Sequence, residues 1–159
     1  MPLRPFDETR DGNILRSWLT DPEAARWLTD TEQLKAEQNA AGITRWIFEQ
    51  DGAPVGYGDL VQAPDGTYSR LLRVVVGRAH RRQRIGTTLV RALIEQARTT
   101  APALPVYAGI DPNNLPALWA CPAAGLVPLE PLPEHFDERL VWLTTPDDEP
   151  FVPGGPIDD

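Results

Sequence analysis

Apolar positions change their period repeatedly along the chain. Residues 2–6 are short and apolar, which predicts a first edge strand. Ile14, Leu15, Trp18 and Leu19 then recur at helical spacing. Asp21-Pro22-Glu23 reads as a second helix start: Asp caps, Pro occupies the first turn, and Glu favours the positive end of the helix dipole. That helix would carry Ala24, Trp27 and Leu28. A third start at Asp30, with Gln33 placed as in a capping box, runs to a stop at Gly42. From Ile43 the spacing becomes that of strands. Residues 43–49, 55–61 and 68–76 are rich in β-branched and aromatic side chains, and the turn residues Asp51-Gly52 and Pro64-Asp65-Gly66 separate them. They predict an antiparallel meander. Helical spacing returns with Ile85, Leu89, Leu93 and Ala97 on one face, and Arg91, Glu95 and Arg98 elsewhere.

A fifth strand is expected over residues 104–110. Asn113 and Asn114 can cap a short helix that Pro122 must end or distort, Gly125 closes it, and two strands follow near 126–129 and 138–144. Strand, helices, three strands, helix, strand, helix, two strands: this order predicts one mixed α/β domain over residues 1–145 without internal repeats. Residues 146–159 are acidic and rich in Pro and Gly, which predicts a loose tail.

Length and composition narrow the chemistry. A chain of 159 residues suits one domain with an ordinary core. No apolar run approaches the roughly 20 residues of a membrane span, and no signal-peptide pattern follows Met1. Cys121 is the single cysteine and His80 and His135 the two histidines, so the expectation is a reduced, cytoplasmic protein without a metal site. A net charge of −8 argues against nucleic acid and anionic membranes as partners and favours a cationic one. Against that background Arg78, Arg81, Arg82, Arg84 and Arg91 fall in a stretch of 14 residues with no Asp or Glu. The stretch joins the third meander strand to a helix start, where free backbone N–H groups and the dipole attract phosphate. Thr87 and Thr88 add hydroxyls. The Gly-Lys-Ser/Thr ending of a triphosphate loop and the GxGxxG of a dinucleotide fold are both absent. A solvated, Arg-rich helix start is the competing reading.

Arg81-Arg82-Gln83-Arg84-Ile85-Gly86 resembles the coenzyme A pyrophosphate loop of the GNAT superfamily of N-acetyltransferases, whose pattern is Gln/Arg-x-x-Gly-x-Gly/Ala between a strand and a helix. Asn114, Ala117, Gly125 and Leu126 resemble that family's Asn-x-x-Ala…Gly-Phe segment. WLTDPEAARWL and DGAPVGYGDL look like the aminoglycoside and ribosomal-protein acetyltransferase branches, and the resemblance covers roughly residues 2–144. It implies a GNAT-like fold: a central, mostly antiparallel seven-stranded sheet flanked by about four to five helices. It also implies acetyl-CoA as co-substrate and direct attack, in a ternary complex, by a primary amine of a small molecule or peptide. Members pair through sheet edges or C-terminal strands, so a homodimer is left open. By the same resemblance, the backbone of Val74, Val75 and Val76 would meet the pantetheine arm. Arg81, Arg82, Gln83, Arg84, Ile85, Gly86, Thr87 and Thr88 would hold the pyrophosphate, and Asn114 would face the pantetheine or adenosine side. The gap where the fourth and fifth strands diverge would admit the thioester. The helices around Trp18, Trp27 and Leu34 are expected to shape the acceptor pocket, with the tryptophans as plain core the competing reading.

The chain departs from the family pattern at three places. Arg84 replaces the middle glycine, where an arginine at helical angles would either bind phosphate or crowd the pocket. Cys121 stands where a tyrosine often serves as general acid, just before Pro122, and is alternatively a small core residue. Arg70 stands where some members carry a glutamate base. Asp59, Tyr57 and Tyr68 are the candidate bases, acting through water; Asp59 could equally be an edge-strand charge. These departures keep a second function in view, a catalytically degenerate acyl-CoA-binding sensor or interaction module.

Overall fold

A computed structural model describes residues 3–21, 42–63, 65–81, 84–134 and 136–146. The chain runs β1 (Leu3–Pro5), α1 (Glu8–Leu19), β2 (Ile43–Gln50), β3 (Ala53–Gln62), β4 (Ser69–Val76), α2 (Ile85–Thr100), β5 (Val106–Ile110), α3 (Leu115–Ala123), β6 (Val127–Pro128) and β7 (Val141–Thr144). A 3-10 turn, Arg78–His80, bridges β4 and α2. The strands form one seven-stranded sheet in the order β1-β2-β3-β4-β5-β7-β6. Every neighbouring pair is antiparallel except β4 and β5. The mixed α/β sheet and its meander are therefore as expected. Three α-helices accompany it among the described residues, not four to five; the two helices expected between Asp21 and Gly42 lie outside those residues, as does most of the tail.

Two apolar clusters cover the two faces of the sheet. On one face α2 lays Ile85, Leu89, Leu93 and Ala97, the predicted stripe, against Val55, Leu71, Val106 and Ala108. The approach is close: a Cβ at Gly56 would sit 2.9 Å from Leu89 Cδ2, and one at Gly58 would collide with Leu93 Cδ1. A side chain at Gly58 would have to displace Leu93 of the helix. On the other face α1 packs Leu15, Trp18 and Leu19 against Ile47, Tyr57 and Val75. Its start is fixed by Asp7, whose carboxylate accepts from the Thr9 N–H at 3.0 Å. Asp11, 1% exposed, accepts from both Arg4 Nη atoms at 2.7 and 2.8 Å and from the Asp7 N–H. These bonds tie α1 to β1, and the Arg4 bond in particular holds the Asp11 carboxyl below the usual carboxylate range despite its burial.

Pro122 sits in the last turn of α3, which ends one residue later, as expected of a proline there. β7 is shorter than the predicted 138–144 because Leu140 N–H returns to the Asp137 carbonyl at 3.1 Å in a turn.

Candidate active site

β4 and β5 pair only through Ser69–Val106, Arg70–Tyr107 and Leu71–Ala108, and then part. A cavity of about 690 Å³ opens in the gap, bounded by Val74–Val76 of β4, Ala108–Ile110 of β5, the first turn of α2, and Asn114, Ala117 and Cys121 at α3. A bulge lies in β4 where the strands separate. Tyr57 is opposite Val75 and Asp59 opposite Leu72, so Gly58 alone faces both Arg73 and Val74. Arg73 has φ 45°, a left-handed value that costs a non-glycine residue roughly 1–2 kcal/mol.

The basic turn closes the other end of the cavity. Arg84 precedes α2 at φ 61° and ψ 15°, not at the helical angles expected of it. The glycine-like conformation is kept while an arginine occupies it, because the chain must turn sharply into the helix there. Arg84 is exposed at the rim, and the cavity stays open beside it. Gly86 faces inward: a Cβ on it would lie 3.8 Å from both Ala120 Cβ and Val76 Cγ2, an ordinary contact. Any longer side chain at Gly86 would enter the gap between α2, α3 and β4.

Not every loop residue is free to meet a ligand. Arg81 Nη2 is paired with Asp21 at 2.7 Å and its Nε donates to the Val76 carbonyl at 3.2 Å. Thr87 lines the cavity, whereas Thr88 is exposed and donates its hydroxyl to the Arg84 carbonyl at 3.2 Å. The Val75 side chain belongs to the α1 cluster and its backbone pairs with Tyr57 of β3, so Val75 borders the cavity without presenting its amide to it. Asn114 borders the cavity and caps α3, its Oδ1 accepting from Ala117 N–H at 3.3 Å. Arg82 and Gln83 lie outside the described residues.

Residues 13–120 match the acetyltransferase (GNAT) family. The chain belongs to that family. No curated protein sequence matches the chain. Among solved structures, the aminoglycoside acetyltransferase AAC(6')-Ib in complex with coenzyme A is similar at a TM-score of 0.74 and 20% identity, over 90% of this chain and 92% of that one. The spermidine N-acetyltransferase from Vibrio cholerae in complex with CoA and spermine is similar at 0.68 and 12%, over 89% and 91%. A putative phosphinothricin N-acetyltransferase gives 0.67 and 16%, over 90% and 96%. At these identities the likeness is one of fold.

Within this GNAT fold the catalytic candidates separate. Cys121 is buried and borders the cavity, and burial pushes its thiol up to about 11. Tyr57 and Asp59 are fully buried on the α1 side of β3, and neither lines the cavity. Tyr57 donates its hydroxyl to Asp59 Oδ1 and accepts from Arg45 Nε at 2.9 Å. Asp59 Oδ2 takes Arg73 Nε at 2.6 Å and Nη2 at 2.5 Å. Burial pushes the Asp59 carboxyl up against the opposing pull of Arg73; burial, together with Asp59, also pushes the Tyr57 phenol up. The edge-strand reading of Asp59 is corrected, because β3 is an inner strand paired on both sides. Arg70 lies over the Trp142 ring, 4.7 Å from its centroid. Tyr68 stacks on Tyr107. Trp18 is core, packed on the Gly77 backbone, while Trp27 and Leu34 lie outside the described residues. Arg73, which the sequence reading passed over, is the residue that joins the Asp59 cluster to the cavity; no glycine or asparagine marks its left-handed position.

No group of three or more His, Cys, Asp or Glu residues is gathered as a metal site among the described residues. No helix among them is long and apolar enough to cross a membrane.

Proposed function

We propose that the protein binds acetyl-CoA in the β4–β5 gap and transfers its acetyl group to a primary amine of a small molecule, by direct attack within a ternary complex. One observation carries this reading: the cavity opens where β4 loses its neighbour and ends at the start of α2. A strand edge without a partner offers N–H and C=O groups to the amide-bearing pantetheine arm, and a helix start offers N–H groups to the pyrophosphate. Val74 and Val76 supply the first set through their backbone. Ile85, Gly86, Thr87 and the exposed guanidinium of Arg84 supply the second, with Arg82, Gln83 and Thr88 flanking. Arg81 anchors the loop to Asp21 and β4, and Asn114 fixes α3 on the adenosine side.

The chemistry asks little of the protein. The amine must reach the thioester carbonyl neutral and aligned, and the developing oxyanion needs a donor. A backbone N–H of the bulge, at Arg73–Val74, is such a donor at the mouth of the gap. Protonation of the departing thiolate by Cys121 would run uphill by about 2 to 3 pKa units, given a reference thiol near 8.5. Cys121 therefore acts as an S–H hydrogen-bond donor to that sulfur, and water carries to it the proton that the attacking amine gives up. The proteins of similar fold are described with amines, kanamycin in one case and spermine in another. A net charge of −8 draws such cationic amines in.

Release of free thiol from acetyl-CoA, followed across a panel of polyamines, aminoglycosides and amino acids, tests the reading. Amine-dependent release supports it, with Cys121→Ala keeping kcat within about threefold. Coenzyme A binding without amine-dependent release would instead favour an acyl-CoA-binding sensor.

A further inference from the structure

Nothing in the transfer chemistry uses the buried cluster beneath β3 and β4, yet its parts converge on one backbone position. Arg73 occupies the bulge at φ 45°, where glycine would rest without strain. Its side chain is 8% exposed and Asp59 is wholly buried, so the pair is largely removed from water although Arg73 borders the cavity. Both Arg73 Nε and Nη2 meet the same carboxylate oxygen, Asp59 Oδ2. The other oxygen is taken by Tyr57, which Arg45 holds in turn, and Arg45 lies 3.9 Å above the Phe6 ring. Asp59 is thus held at one oxygen by Tyr57 while it grips Arg73 with the other. Strain persists in a folded chain only where the surroundings over-determine it.

The orientation of the Arg73–Val74 peptide, and so of the Val74 N–H, follows from φ and ψ at Arg73. Relaxing Arg73 to an ordinary extended value would rotate that peptide. The rotation would occur where β4 leaves β5, the point at which the thioester carbonyl would lie.

We infer that Asp59 is a positioning residue: through Arg73 it holds the β4 bulge in its left-handed conformation and so aims the bulge N–H at the thioester carbonyl. The inference rests on the proposal that acetyl-CoA binds in the β4–β5 gap. It assigns Asp59 no proton transfer and places Tyr57 and Arg45 as supports of the carboxylate.

The test compares Asp59→Asn, Arg73→Gly and the double variant in two readouts. The first is calorimetric: the preference for acetyl-CoA over coenzyme A, which reports the bond to the acetyl carbonyl and needs no amine. The second is kcat and KM with an amine found by the panel. Asp59→Asn is expected to abolish the preference and lower kcat by about tenfold or more, while coenzyme A itself binds within about threefold of the native protein. If Asp59 acts only through Arg73, then with glycine at 73 the further change Asp59→Asn has no effect. The double variant matches Arg73→Gly within about threefold in both readouts and exceeds Asp59→Asn, because glycine reaches φ 45° without the clamp. A double variant as impaired as Asp59→Asn, or loss of the acidic limb of the kcat/KM pH profile in both, would overturn the inference in favour of Asp59 acting as a base. Should Asp59→Asn fail to fold, Arg73→Gly and the double variant decide alone, since a folded double variant clearly more impaired than Arg73→Gly would show that Asp59 acts otherwise than through Arg73. Native protein that does not bind coenzyme A would refute the binding proposal, a result distinct from any of these.

Discussion

Replacing Arg84 by glycine removes a side chain from a left-handed position, φ 61° and ψ 15°, at the entrance to α2. The left-handed conformation costs an L-residue roughly 1–2 kcal/mol, and the freedom glycine loses on folding takes back about 0.5–1 kcal/mol. The net expectation is stabilisation by about 0.5–1 kcal/mol. For a chain of this length that is an increase of roughly 1–4 °C in Tm. Arg84→Ala is the control: it removes the same charge but keeps a Cβ, so it keeps the strain. Thermal unfolding followed by circular dichroism should rank glycine above both arginine and alanine. Equal Tm values for the glycine and alanine variants would refute the argument from backbone strain. The same pair separates charge from strain in ligand binding. If the guanidinium meets the pyrophosphate, both variants bind coenzyme A more weakly, by about tenfold for one charge-assisted hydrogen bond.

Three further outcomes follow from the packing and the titrations. A thiol at about 11 is about 0.1% ionised at pH 8, against roughly a quarter of a free cysteine, so Cys121 should alkylate with iodoacetamide about two hundredfold more slowly. Its rate should climb tenfold per pH unit up to pH 10; a plateau near pH 9 would contradict the assignment. Asp11 has a folded pKa below its unfolded value of about 3.9, so its stabilisation is present above pH 4 and lost as pH falls through the folded value. Asp11→Asn should lower stability at pH 7 by roughly 2–3 kcal/mol, less than a fully buried pair because Arg4 keeps Glu49, and should flatten the acid limb of a denaturation series. Gly58→Ala should cost about 1–3 kcal/mol in urea unfolding, since the new methyl meets Leu93; an unchanged midpoint would mean that α2 moves away freely.

The elements that repeat locally were legible in the sequence. The Leu89–Leu93 stripe gave α2, the Asp51-Gly52 turn gave the meander, and Asn114 marked the start of α3, since each depends on residues close in the chain. The basic turn before α2 was legible because the Arg-rich run ends at a helix start. Features made by pairing distant residues were not. Asp59 and Arg73 meet only once β3 and β4 are set in register, and a bulge shifts that register by one residue. The two left-handed arginines were hidden for a related reason: Arg73 and Arg84 stand where glycine ordinarily signals positive φ. The sequence shows the strand of Asp59 but not the strands on either side of it, so by itself it offers a base or an edge charge and not an inner-strand anchor.

Coenzyme A and acetyl-CoA titrated by calorimetry into the native protein and into Gly86→Glu test the central claim most directly. Gly86 takes a Cβ without conflict, so the variant folds while its carboxylate projects into the gap between α2, α3 and β4. Micromolar binding by the native protein, lost in Gly86→Glu at an unchanged Tm, is the predicted result. No binding by the native protein, or equal binding by a folded Gly86→Glu variant, would contradict the placement of the cofactor between β4 and β5.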